Sequence, residues 1–241
     1  MKTTSATHWI GVVFILASAA LLLVTTVSAP VNADIGILRV ILTNKTNIRH
    51  SSVSFGTFGY CILDVPPIET DHDWCGHKVI GYDPAQIMAK IDNQHASSLS
   101  HGTSDGLAHV MILHPIACGL AFLAFFLSLG AGVVGSLVGA MVAFVAWILT
   151  LVVMAVDFAL FGVIKKHVNA DRSGSKASYG IGMWTTLAAM ILLFFGMLIV
   201  FFTCFSARRE RNRNGHVGKN EGGYVDPVVD DAPNRRRFGA F

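Results

Sequence analysis

Val133–Val156 reads VVGSLVGAMVAFVAWILTLVVMAV, without one charged residue, and its apolar character runs on past Asp157 to Ile164. A helix needs roughly 20 apolar residues to cross a bilayer. In hydrocarbon each backbone N–H and C=O must find its partner inside its own segment, so a run of this kind is helical. Three further runs meet the same criterion: Trp9–Ala29, Val110–Leu129 and Tyr179–Phe205. The whole chain is 53% hydrophobic and 14% charged, where a soluble domain carries about a quarter charged residues. The reading is an all-α membrane protein, a four-helix transmembrane bundle with a small β-rich domain between helices 1 and 2. Its parts are a short N-terminus (1–8), a first span (9–29), a loop domain (30–109), a second span (110–129), a turn (130–132), a third span (133–160), a second loop (161–178), a fourth span (179–205) and a polar tail (206–241).

The first run also has features of a secretory signal, since Lys2 precedes it and Val27-Ser28-Ala29 offers small residues at its end. Its length, Trp9 in the place of an interfacial anchor and Pro30 directly after the small residues favour a retained helix. Basic residues near a membrane mark the cytoplasmic side. Of the 18 Lys and Arg, one precedes the first span, five lie in 30–109, four in 165–176 and eight after Cys204. Arg208, Arg209, Arg211 and Arg213 follow the last span closely. The tail is therefore expected inside, basic, disordered and drawn to anionic lipid. Four spans then place the N-terminus inside and the loop domain outside, despite Lys165 and Lys166 in the second loop.

The loop domain carries eight acids and five bases. Strands are expected at Ile35–Leu42, Val53–Ile62 and Lys78–Tyr82, with a break at Pro66-Pro67, a short helix at 85–91 and a flexible stalk over 93–106. Cys61 and Cys75 lie in an oxidising compartment on this topology, so a disulfide is expected, worth about 3 kcal/mol for a loop of about 15 residues. A metal site at His72, Asp73, Cys75 and His77 is the competing reading, but that spacing follows no standard zinc pattern. No metal or cofactor is expected. Asn44-Lys45-Thr46 is a glycosylation acceptor. Histidine recurs at 50, 72, 77, 95, 101 and 109, with His72 and His77 the candidates for titration in the physiological range.

Within the spans, Ser128, Gly132, Ser136 and Ala140 repeat four apart, with Gly135 and Gly139 beside them, a pattern that lets helices approach closely. Packing within the chain is expected from it before a homo-oligomer. Asp157 is the sole acid in an apolar run and is expected at the outer interface, snorkelling or pairing with Lys165. His114-Pro115 is expected to kink the second span. Cys118 reads as packing, and Cys204, beside the basic cluster, as a candidate for palmitoylation. Gly102-Thr103-Ser104-Asp105-Gly106 matches a nucleophile elbow literally, but it follows a polar stalk and not a buried strand. No enzyme is expected.

Three segments carry a resemblance. They are Phe55-Gly56-Thr57-Phe58-Gly59-Tyr60-Cys61 followed by Cys75 and Ile80-Gly81-Tyr82; Leu113-His114-Pro115-Ile116-Ala117; and Val156-Asp157-Phe158-Ala159-Leu160-Phe161 with Tyr179-Gly180 and Trp184. Over residues 9 to about 206 the chain resembles the fungal PalI/Sur family of plasma-membrane tetraspans, and the His-Pro segment points to the PalI branch. The architecture is similar to that of claudins, with Tyr60 where the claudin loop motif has tryptophan. The tail is shorter than in many PalI relatives. The resemblance implies Gly56, Gly59 and Tyr60 as a loop motif, and His114, Pro115 and Asp157 as a helix motif. It also implies a plasma-membrane accessory protein of ambient alkaline-pH signalling, whose partner is a multi-span pH sensor. The alternative it implies is a structural tetraspan of eisosome-like membrane domains. A transporter fits poorly with so few ionisable residues in the spans. Neither nucleic acid nor a small-molecule substrate is expected.

Overall fold

A computed structural model describes residues 3–42, 51–64, 74–77, 79, 82–84, 87, 110–130, 133–170 and 174–220. It contains α1 (Thr3–Thr26), β1 (Leu38–Ile41), β2 (Ser51–Phe55), β3 (Tyr60–Asp64), β4 (Trp74–Cys75), a 3-10 turn (Val110–Ile112), α2 (Leu113–Leu129), α3 (Val133–Ala170), β5 (Lys176–Tyr179) and α4 (Ile181–Asn220). All four long helices are apolar enough to cross a membrane, over Ala6–Thr26, Val110–Leu129, Gly135–Ala170 and Ile181–Ser206.

The helices close into a ring, with α1 on α4, α2 on α3, and α1–α2 and α3–α4 completing it. On α2 and α3 the inner stripes are built mainly from small residues at helical spacing, while α1 and α4 bury larger ones, Ile15, Leu22 and Leu193 among them. On α2 the stripe is His114, Ala117, Cys118, Ala121, Ala124 and Ser128; on α3 it runs through Ala140, Ala143, Ala146, Thr150, Val153 and Asp157. Phe126, Val145 and Phe202 point outward instead. The small inner residues of α2 and α3 suit helices that gain little by hiding leucine from lipid and much by close contact. Gly196 of α4 shows the result: a Cβ there would stand 3.0 Å from the Gly11 carbonyl oxygen of α1. Ser128, Ser136 and Ala140 are buried within the chain; Gly132 lies outside the described residues.

The loop domain is one antiparallel sheet in the order β4-β3-β2-β1-β5. It departs from expectation in three places. The expected strand Val53–Ile62 is a hairpin, because the chain turns at 56–59 with the Gly56 N–H on the Gly59 carbonyl (2.8 Å). β4 at Trp74–Cys75 lies outside the expected strands, and of Lys78–Tyr82 only Val79 and Tyr82 are described, neither of them in a strand. The fifth strand comes from the second loop, so Tyr179 ends β5 and does not open the fourth span. The stalk at 93–106 lies outside the described residues, as does most of 85–91.

Helix α3 has 38 residues, roughly 57 Å at 1.5 Å per residue, longer than a bilayer core of about 30 Å. It passes the expected end at 160 because no proline occurs from Phe161 to Ala170 and the single glycine, Gly162, is tolerated within a helix already formed. The overhang supplies Leu160, Phe161, Ile164 and Val168 to a core with Leu38, Val40, Val53, Phe55, Met111 and Met183. Asn169 then fastens β5 to the end of α3: its Oδ1 accepts from the Ala177 N–H (2.9 Å) and its Nδ2 donates to the Ala177 carbonyl (3.2 Å). At the opposite end α4 continues as helix to Asn220, which corrects the expectation of disorder for 206–220. Ala207, Arg208, Arg209, Glu210 and Arg211 are good helix formers, and they extend a helix already nucleated in the span.

Candidate functional site

The most unusual feature of the molecule is a buried pair of ionisable groups where the bundle meets the sheet. His114 is the second residue of α2 and is 1% exposed. Its Nε2 lies 3.1 Å from Asp157 Oδ2 on α3, and its Nδ1 lies 3.2 Å from the Met111 carbonyl oxygen in the preceding 3-10 turn. A carbonyl can only accept, so Nδ1 carries a proton. Between Nε2 and Oδ2 there is then one more, whichever atom holds it. Pro115 falls in the first turn of α2, where a missing N–H costs no helical bond; the expected kink gives way to a helix start that places His114.

Asp157 is 1% exposed and does not reach Lys165, which corrects the expected snorkelling and pairing. A residue eight positions on is rotated by roughly 80° about the axis, and Lys165 Nζ sits 4.0 Å above the Tyr179 ring instead. Asp157 shares its stripe with Met154 and Phe161, so it faces inward, toward α2.

Tyr82 lies on the sheet side of this pair. Its hydroxyl donates to the Gly56 carbonyl (2.6 Å), and its ring stacks on Phe55 with centroids 6.4 Å apart. Burial pushes the phenol well above its ordinary value of 10.0, and the Asp157 carboxyl adds to the rise. Gly56 is required where it stands, since a Cβ there would run into the Ala29 backbone. The hairpin is tied to the end of α1 by Thr57, whose N–H donates to Ser28 Oγ (2.9 Å) and whose hydroxyl donates to the Thr25 carbonyl (2.9 Å). Tyr60 packs between Phe55, Tyr82 and Trp74. The Cys61–Cys75 disulfide joins β3 to β4 across the register, and Cys61 is buried with Ala29, Ala33 and Leu63. The loop motif and the helix motif, far apart in the chain, are thus one cluster.

A model of the SUR7/PalI family matches residues 7–196, a span that contains both motifs. The chain belongs to the SUR7/PalI family. No match was found among the curated proteins. Four apolar helices and the family match make it a multi-pass membrane protein, and the bundle with its disulfide-stapled sheet is a claudin-like tetraspan fold.

The other candidate residues of this SUR7/PalI chain do not join the cluster. His77 is exposed on the sheet edge beyond β4. His72 and Asn44 lie outside the described residues. Among those described, no three His, Cys, Asp or Glu side chains come together as metal ligands. Cys204 is buried, with its thiol 2.8 Å from Ser136 Oγ, a position that withholds the sulfur from an acyl donor. Cys118 is also buried, against the Ala19 carbonyl of α1. Arg208, Arg209, Arg211 and Arg213 lie on the helical continuation of α4. Sequence reasoning missed the His114–Asp157 pairing. Its signal was there, because each residue is the lone ionisable group of a segment that carried the family resemblance.

Proposed function

We propose that this protein is a plasma-membrane accessory of ambient alkaline-pH signalling, assisting a multi-span membrane sensor, with the sheet domain outside the cell and both termini inside. The observation that carries this reading is the buried His114–Asp157 pair at the junction of sheet and bundle. An ionisable residue inside a membrane protein is costly and tends to serve a function. This pair sits in the His-Pro segment that resembles the PalI branch, and it lies where a partner bound to the sheet domain would sense the packing of the helices. The disulfide suits an oxidising exterior, and the arginines after Phe205 suit a cytoplasmic tail.

A second reading, a structural tetraspan of eisosome-like membrane domains, draws support from the helical, arginine-bearing end of α4, which suits anchoring along an anionic inner leaflet.

The test is a strain lacking the protein, shifted from acid to alkaline medium, with proteolytic processing of the pathway's zinc-finger transcription factor as the readout. Loss of processing, restored by the intact chain and not by Cys61→Ser, supports the signalling role. Normal processing overturns it in favour of the membrane-domain reading.

A further inference from the structure

We propose that His114 and Asp157 form a proton-binding site that clamps α2 to α3 beneath the sheet domain, and that loss of its proton loosens the clamp. The use of such a site in alkaline signalling rests on the function proposed above; the site itself does not.

The argument is geometric. With Nδ1–H committed to the Met111 carbonyl, the Nε2···Oδ2 contact of 3.1 Å is attractive only while a proton lies in it. Imidazolium with carboxylate and imidazole with carboxylic acid are both neutral as a pair. When base takes the shared proton, the Nε2 lone pair faces a carboxylate, and the pair is left with a net negative charge. When acid adds a proton, two N–H and O–H groups oppose each other around a net positive charge. Either state strands a charge where the two side chains are 1% and 2% exposed, which is strongly unfavourable. The site is therefore stable at one proton occupancy.

The groups facing it are few. Asp157 is the one charged group that His114 senses. Tyr82 faces Asp157 from the sheet domain, and its hydroxyl stays protonated on the Gly56 carbonyl. The buried stripes of α1 and α4 hold no titratable carboxylate, imidazole or amine among the described residues. The link to the sheet runs through Tyr82 on Phe55, and through Met111, Met154 and Phe161 in the same core. Parting α2 from α3 at His114 therefore disturbs the floor on which β1 and β2 rest.

The experiment uses the full chain in lipid nanodiscs with nitrogen-15-labelled histidine, and His114 is assigned by the signal missing from His114→Gln. The pH is raised from about 6 to about 9, staying below the range in which tyrosine titrates freely. The expected result is loss of the His114 Nε2–H signal, with a fall of about 4 °C or more in the thermal midpoint over the same interval. In Asp157→Asn the amide keeps a hydrogen bond to the ring without an exchangeable charge, and the midpoint stays level. An Nε2–H signal unchanged across the range overturns the proposal, as does an Asp157→Asn profile that falls with the wild type. If Asp157→Asn does not fold, the wild-type signal alone decides. A failed titration removes the site and leaves the signalling role standing; normal transcription-factor processing does the reverse.

Discussion

Gly139 of α3 lies so close to Ser128 of α2 that a Cβ built on it would stand 2.9 Å from the Ser128 backbone nitrogen. Contact at this range brings two backbones together, so neither side can give way by rotating a side chain. Gly139→Val therefore forces the C-terminal end of α2 and the N-terminal end of α3 apart. Overpacking costs typically 1–3 kcal/mol, and a loss near the top of that range is expected in denaturant titration of the full chain in micelles. Wild-type stability would mean that these helices separate freely.

The disulfide leads to a second prediction. Cys61 and Cys75 are 14 residues apart, and β4 is a two-residue strand that has little else to hold it on the sheet edge. Cys61→Ser or reduction should lower stability by about 3 kcal/mol, and increased amide exchange should centre on β3 and β4. A drop spread evenly over α1 to α4 would contradict this.

Tyr82 makes stability fall in strong alkali. Its folded-state value lies well above 10.0, so the unfolded chain gives up this proton first as pH rises. Where the unfolded state binds fewer protons, stability decreases with pH. The contribution is thus complete below about pH 10 and declines as pH climbs from there toward the folded-state value. Tyr82→Phe should flatten the melting midpoint in that window, while the lost bond to Gly56 lowers it at all pH values by about 1 kcal/mol. A midpoint in the mutant that still falls as steeply above pH about 10 would assign the alkaline loss to another group.

Cys204 should remain unacylated. Its thiol is packed against Ser136 inside the bundle, and an acyl chain there would have to pass between α3 and α4. Labelling with an alkyne fatty-acid analogue should give the same signal for the wild type and Cys204→Ala. A signal lost in the mutant would show that α4 opens away from α3 at Cys204.

The fold was largely legible because its strongest signal is compositional. Four uncharged runs must be helices in lipid whatever surrounds them, and two cysteines in one loop pair by default. The strands were less legible. Val53–Ile62 reads as one apolar run, and only the hydrogen bond across Gly56–Gly59 makes it a hairpin. Lys176–Tyr179 carries no strand pattern at all and becomes β5 because β1 offers it an open edge.

The site shows the same division. His114 and Asp157 each stand out as an isolated ionisable residue in an apolar segment, and each has a local reading, a kinked helix for one and an interfacial partner for the other. Their true relationship is 43 residues long-range, and no periodicity within a segment encodes it. Sequence alone determined that this chain crosses a membrane four times and carries a stapled loop domain, since burial in lipid is dictated segment by segment. Only the tertiary structure decided which faces of α2 and α3 meet. That depends on small residues letting two backbones touch at Gly139 and on an overhanging α3 that turns Asp157 inward beneath the sheet.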